Sequence, residues 1–356
     1  MRGRFCFFLL LSFRSSNLPL LLFFAHRRFA FDAIQNASRQ PSYTDPMSMH
    51  HTLELAGLLL GLLFGSFLNV CIARVPRGES VVSPRSRCPA CDRAIRWFDT
   101  FPVASWLLLR GRCRDCQARI SWQYPAVEVA TGLWFAVAGS DLWAAWHPGP
   151  EKFASYPAIQ TIGAVSFAVL GFLLIGLLVI DWQTLRLPDA FTLSGIATGF
   201  FLVCTQAIFL EGREGEITFV SKHLRLSSPG SFAAKGNVFL TGTEALIYGR
   251  LAAIAAAALI LILVRILYKT LRKREGLGLG DVKLLAMIAA FLGFWPAVLT
   301  LFVGVLLATV YAIFLLATRR ANSLTRLPLG SFLAAGGLFA ALFGDRILAW
   351  YRTLLV

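Results

Sequence analysis

The sequence predicts an all-α polytopic membrane protein of about eight transmembrane helices. Three observations predict it. Of 356 residues, 57% are hydrophobic and only 15% are charged. Apolar runs of about 20 residues, the length that spans a bilayer as a helix, recur along the chain. The basic residues gather in alternate connections between those runs, as they do in connections retained on the cytoplasmic side.

Taken in order, residues 1–48 hold a broken apolar pattern, interrupted by Arg14 and followed by Arg27 and Arg28. A signal peptide, an extra helix, or a mis-called start with initiation at Met47 or Met49 each accounts for it, and the mis-called start is the preferred reading. Residues 49–73 carry the first span, Leu53 to Ala73. Residues 74–124 are polar, and Arg74 to Tyr124 holds ten arginines against four acidic residues, which places this loop in the cytoplasm. Residues 125–350 carry the remaining spans. Ala158 to Ile180, Ala190 to Leu210, Ala245 to Tyr268 and Ala297 to Ala317 are the clear ones. Ala126 to Trp146 contains Glu128 and Asp141, Val282 to Trp295 is short, and Leu329 to Trp350 ends in charge. Alternation then puts Asp181 to Asp189, Lys269 to Asp281 and Arg319 to Arg326 on the cytoplasmic side with the arginine-rich loop. Residues 211–243 are polar with a few alternating apolar positions ("EITFV", "NVFL") and read as an external insertion containing a small hairpin. Residues 351–356 are a tail. The net charge of +15 is accounted for by topology, and no nucleic-acid motif accompanies it, so no nucleic-acid partner is expected. Membrane lipid is.

Four of the seven cysteines form "CPAC" (Cys88, Cys91) and "CRDC" (Cys113, Cys116), with 21 residues between the pairs. Each C-x-x-C lets two thiolates approach one ion from a tight turn, and two such knuckles complete a closed tetrahedral S4 shell. This is a zinc-ribbon-like loop with a structural Zn2+, its thiolates favoured by Arg87, Arg93, Arg112 and Arg114. A pair of disulfides is the alternative, disfavoured in a reducing compartment. The metal would fold a loop with too little apolar content for a core of its own. Cys6, Cys71 and Cys204 lie in apolar runs and read as packing residues.

Two aspartates stand where apolar helices have no use for them. Asp281 follows Gly276, Gly278 and Gly280 in "GLGLGDVKLL", and Asp181 ends a span in "LLVIDWQTLRLPD". Ionisable residues at membrane depth are costly and usually face a cavity with a partner. Each is the other's obvious candidate. Two facing carboxylates in a poorly solvated site cannot both ionise easily, so one is a base while the other keeps a proton, an arrangement that activates water for amide hydrolysis. The glycines would let the chain bend and another backbone approach Asp281. Taken alone, Asp281 equally reads as a helix N-cap, and Asp189 after Pro188 reads so more strongly. Glu128 is either interfacial or a second functional carboxylate inside a span. No GxSxG or HExxH occurs, and the five histidines avoid the predicted cytoplasmic face.

These residues resemble the type IV prepilin peptidase family, the aspartic leader peptidases of pilus and type II secretion systems. "GLLFGSFLNVCIARVP" (Gly61 to Pro76) resembles its first-helix signature, and the two C-x-x-C knuckles follow in its cytoplasmic loop. "SWQYPAVEVATG" resembles the entry to its second helix, "IDWQTLRLPD" and "GLGDVKLL" its two aspartate segments, and "LPLGSFLA" its closing motif. The resemblance implies that Asp181 and Asp281 are the catalytic pair, with Gly278 and Gly280 in the GxGD element, Asp189, Lys283 and Glu128 in support, and Zn2+ on Cys88, Cys91, Cys113 and Cys116. It implies a bacterial inner-membrane enzyme that cuts the basic leader of prepilins or pseudopilins at the cytoplasmic face, then methylates the new N-terminus with S-adenosylmethionine. Glu79, Asp92, Asp99 and Asp115 would attract the leader. The methylation rests on the resemblance, since no Gly-rich nucleotide loop follows a strand. The insertion at 211–243, Ser331 where the motif generally has proline, and the N-terminal tail depart from the pattern.

Three other readings compete. A presenilin-type GxGD protease pairs its motif with tyrosine-aspartate, whereas Ile180 precedes Asp181 here. A proton-coupled transporter with membrane carboxylates predicts inverted repeats, and none is convincing. A non-catalytic assembly factor would tolerate loss of either aspartate.

Overall fold

Each of the eight apolar runs falls on a helix. The structure is a computed structural model and describes residues 46–146, 156–214, 218–220, 223–225, 242–273, 277–318 and 327–355. The helices are α1 (Pro46–Arg74), α2 (Ala104–Leu108), α3 (Gln123–Trp146), α4 (Tyr156–Thr184), α5 (Asp189–Glu214), α6 (Gly242–Arg272), α7 (Leu279–Leu292), α8 (Phe294–Ala317) and α9 (Leu329–Leu355). The expected hairpin is present as β1 (Thr218–Val220) paired antiparallel with β2 (His223–Arg225), Thr218 opposite Arg225. The N-terminal extension as far as residue 45, with Cys6, lies outside the described residues, as do the Arg319 to Arg326 segment and most of the insertion.

Among the described residues, six helices are long and apolar enough to cross a membrane: α1, α4, α5, α6, α8 and α9. The chain is a multi-pass membrane protein. The other two differ for physical reasons. In α3 two carboxylates interrupt the apolar run. In α7 the 14 residues reach about 21 Å at 1.5 Å per residue, short of the roughly 30 Å hydrocarbon layer. The expected span to Trp295 stops at Leu292 because Gly293, at φ 91°, turns the chain straight into α8.

Hydrophobic transfer does little for helices already in lipid, so close packing must hold them together. On α1, Gly57, Gly61 and Gly65 lie against α3, where a Cβ at Gly65 would stand 2.7 Å from the Glu128 Cα. Trp134 of α3 stacks on Phe167 of α4 at 4.3 Å between ring centroids and donates its indole N–H to the Phe167 carbonyl at 2.7 Å. The short α7 is the most enclosed element. It touches α4, α5, α6, α8 and α9, and Leu284, Met287 and Ile288 are fully buried in the main core with Leu174, Leu177 and Leu333. Its far end is closed by Arg250 of α6, which donates to the Ala289 carbonyl at 3.4 Å. The starts of α3, α5, α7 and α9 and the ends of α1, α4, α6 and α8 all belong to one end of the bundle, and the predicted site residues gather there.

Candidate active site and metal-binding loop

Among the described residues nine polar ones are buried, and local bonding explains four of them. The hydroxyls of Thr131, Thr192 and Thr300 donate to carbonyls one turn back, and Ser140 to Val137. The remaining five are Asp181, Asp281, Ser331, Glu128 and Asn69. They form two groups.

The first group joins α4, α7 and α9. Asp181, in the last turn of α4, presents Oδ2 to the start of α9, where Ser331 donates its amide at 2.7 Å and its hydroxyl at 3.1 Å. The free amides of a helix N-terminus make a ready seat for an anion. The Ser331 hydroxyl also lies 2.9 Å from the Leu178 carbonyl. Asp281 occupies the third position of α7 and is close enough to Asp181 for one charge to act on the other. It is not the N-cap itself. Its Oδ2 accepts the Gly278 amide at 3.3 Å, which is the backward half of a capping box. Capping and functional readings of Asp281 thus describe one geometry.

Two glycines make this approach feasible. A Cβ at Gly330 would stand 3.0 Å from both Cγ and Oδ2 of Asp181 and 2.8 Å from Leu187 Cδ1, and a Cβ at Gly280 would stand 3.0 Å from Leu187 Cβ. Leu187 is therefore wedged between the first turns of α7 and α9. The close neighbour expected at the GxGD glycines is this side chain rather than a backbone. Gly278 itself has φ −77°, a conformation open to any residue.

Asp189 and Lys283 lie beside this group and pair with each other, Nζ to Oδ1 at 2.6 Å, bridging α5 to α7. Asp189 is the first residue of α5, so its carboxylate serves this bridge rather than the expected cap. Glu128 belongs to the second group: it accepts the Val103 amide at 2.7 Å, while the Asn69 side-chain amide donates to the Tyr124 carbonyl at 3.0 Å. Glu128 faces the loop side of α3.

The four cysteines converge, with every Sγ within 4.8 Å of the others and Cys88 and Cys116 at 3.8 Å. Tetrahedral ligands at about 2.3 Å from an ion stand about 3.8 Å apart. The cluster could bind a metal ion. Its two knuckles repeat one geometry: Cys88 donates its amide to Arg93 and accepts from Asp92, while Cys113 donates to Ala118 and accepts from Gln117. Asp92 and Gln117 both take the left-handed conformation, φ 54° and 58°. The amides of Ala90 and then Cys91 point at the Cys88 sulfur and bring its thiol down to about 7. At Cys116 the Ala118 amide pulls downward, but burial and the thiols of Cys91, Cys113 and Cys88 outweigh it and push that group up to about 12.

Three of the four arginines expected beside the thiolates have carboxylate partners instead. Arg87 pairs with Asp92, Arg93 with Asp115, and Arg114 with both oxygens of Asp99 at 2.6 and 3.0 Å. The Arg114 hydrogen bond holds the Asp99 carboxyl below its ordinary range. Three of the four carboxylates expected to attract a basic leader are thus paired within the loop, because its arginines are nearer partners. Cys71 is buried and Cys204 half-buried, as expected of packing residues.

Sequence reasoning missed Gly330, Ser331 and Leu187 as site residues. All three lie in quoted motifs, but none carries an ionisable group, and their part depends on which helix ends meet.

Comparison with known proteins follows the same division. Residues 59–142, holding the four cysteines and Glu128, match the Bacterial Peptidase A24 N-terminal domain. Residues 229–313, holding Asp281, match the Type IV leader peptidase family. Asp181 falls between the two matches. The chain is 32% identical over 320 residues to the "Prepilin leader peptidase/N-methyltransferase" of Stutzerimonas stutzeri, covering 83% of this chain and 93% of that one. It is 31% identical to the protein of that name from Pseudomonas aeruginosa, over 83% and 92% of the two chains. The corresponding figures for Burkholderia pseudomallei are 33%, 82% and 86%. No solved structure matches. With near-complete coverage of relatives at this identity, the chain belongs to the type IV leader peptidase family.

Proposed function

We propose that the protein is a membrane aspartic endopeptidase that removes the basic leader of prepilins or pseudopilins and then methylates the new N-terminus. The observation that carries the peptidase reading is the buried pair of aspartates from separate helices, Asp181 seated on the start of α9 and Asp281 at the start of α7. In the proposed chemistry Asp181, with both Ser331 donors on Oδ2, uses its other oxygen to take a proton from water. The water oxygen adds to the scissile carbonyl carbon while Asp281 donates a hydrogen bond to the carbonyl oxygen. The tetrahedral adduct then collapses, the C–N bond breaks, and the amine leaves with the proton. No covalent intermediate with the enzyme forms.

The metal proposed for Cys88, Cys91, Cys113 and Cys116 is Zn2+. Four thiolates close its shell, so it supports the loop and takes no part in hydrolysis. S-adenosylmethionine, when bound, supplies the methyl group. A cavity of about 260 Å³ between the end of α1 and the loop is lined by Arg74, Arg85, Ser86, Trp97 and Thr100, among others. Its guanidinium and indole groups suit a carboxylate and a purine, and these residues are the proposed holders. Arg74 is already tied to the Ser80 and Pro84 carbonyls, leaving Arg85 for the carboxylate.

The location proposed is the bacterial inner membrane, with the site at the cytoplasmic face. The arginine-rich loop shares the aspartates' end of the bundle, which supports that orientation. The test is to incubate the purified protein in lipid vesicles with a prepilin and S-adenosylmethionine and weigh the products. Loss of the leader followed by gain of one methyl on the mature chain is the expected result. An unprocessed prepilin in every trial would return transport or assembly as the leading account.

A further inference from the structure

We propose that the stretch from Phe101 to Leu108 in the metal-binding loop is inserted into the bilayer interface, with α2 resting on the acyl chains of an anionic leaflet. The Ser66 hydroxyl lies 3.5 Å from the Thr100 carbonyl, and Glu128 accepts the Val103 amide at 2.7 Å. Ser66 precedes the end of α1 by eight residues, which is about 12 Å at 1.5 Å per residue. Glu128 is five residues inside α3, about 7.5 Å from its start. The two are level, since Gly65 packs directly on Glu128. The loop main chain therefore descends past the ends of both helices that carry it.

Backbone at that depth must be satisfied by protein. Glu128, itself buried, supplies the acceptor for Val103, whose φ of 56° marks a bend the rest of the structure imposes. A second tie fixes α2 laterally. Trp106 packs on Trp122 at 4.1 Å between centroids, and its indole N–H reaches the Ile120 carbonyl at 3.4 Å. Trp122 and Tyr124, both exposed at the start of α3, sit where an aromatic belt meets the headgroups.

The exposed surface completes the case. Leu107 is 61% exposed, Leu108 83% and Phe101 54%. At the same level Phe67 of α1 and Val129 of α3 are also exposed, so the apolar face of α2 continues a surface that already meets lipid. Arg96, Arg110 and Arg112 flank it, the arrangement of an interfacial amphipathic segment drawn to anionic headgroups. This placement stands independently of the peptidase reading.

The test uses the full-length protein in vesicles of phosphatidylcholine and phosphatidylglycerol. An environment-sensitive fluorescent amino acid replaces Leu108 or, as the reference, Val82. Val82 is 87% exposed but lies between Ser80 and Pro84, whose carbonyls are held by Arg74 at the end of α1. Leu107 serves as a second probe position if the Leu108 replacement fails to fold. The expected result is blue-shifted emission from the α2 probe, quenched by doxyl-labelled lipid and not by aqueous iodide, with the reverse at Val82. Replacing phosphatidylglycerol by phosphatidylcholine should weaken the lipid quenching. Iodide quenching of α2 equal to that at Val82 would overturn the insertion. Shielding from both quenchers would mean that a protein segment covers α2, which also overturns it. Lipid quenching indifferent to phosphatidylglycerol would overturn the anionic preference.

Discussion

Asp181 is a carboxylate whose position is set by two residues that are not themselves ionisable. Ser331 gives Oδ2 an amide and a hydroxyl, and Gly330 leaves the space that the carboxylate occupies. Gly330→Ala should displace Asp181 by several tenths of an ångström or more. A full ångström of misplacement costs about a hundredfold in rate, so leader cleavage should fall severalfold to about a hundredfold at unchanged membrane levels. Ser331→Ala removes the hydroxyl and keeps the amide. A hydrogen bond to a charged group contributes roughly 1.5–3 kcal/mol, so kcat should drop about tenfold or more with KM little changed. Ser331→Thr, which keeps a hydroxyl, should recover most of the loss. Steady-state cleavage kinetics on a labelled prepilin would read all three variants.

At the scale of elements, α7 and the metal-binding loop take different routes to order. Helix α7 is too short to span and carries Asp281 in its first turn, yet five neighbouring helices enclose it. The loop has few buried residues and depends on its sulfur cluster, the Asp99–Arg114 pair and the Glu128–Val103 bond. Chelating the metal should therefore raise proteolytic sensitivity in residues 74–124 and leave the helices intact, as followed by limited proteolysis and mass mapping. Acidification should release the metal too, because thiolates must stay deprotonated to bind; stability from the metal is fully present above the free-thiol range and is lost only as the pH falls through the lower values that coordination would impose on the thiols. An unchanged cleavage pattern after verified metal removal would contradict this account of the loop.

At the scale of the molecule, the chain brings four helix starts and four helix ends to one face and puts its unexplained carboxylates there. Much of that was legible in the sequence. Apolar run length marked the six helices long enough to cross a membrane, because a bilayer imposes one length scale, while the interrupted run of α3 and the short run of α7 marked helices without marking spans. Cysteine spacing marked the cluster, because two knuckles suffice for one ion. Less legible was anything that depends on which side chain is nearest. Arg87, Arg93 and Arg114 were read against the thiolates, but they lie closer to Asp92, Asp115 and Asp99. Glu128 reads either as interfacial or as a second functional carboxylate, and neither reading foretells that it accepts the Val103 amide of the loop. The wedge of Leu187 between Gly280 and Gly330 joins three segments distant in sequence, and no periodicity encodes it.

The central claim is that Asp181 and Asp281 together hydrolyse a peptide bond. The most direct measurement is leader removal from a co-expressed prepilin by the wild type, Asp181→Asn and Asp281→Asn, at matched membrane levels, with the products weighed by mass spectrometry. Asparagine keeps the shape and most of the hydrogen bonds while removing the acid–base function. The account predicts cleavage by the wild type and a loss of at least about a thousandfold in each variant. Cleavage at the wild-type rate by either variant would contradict it.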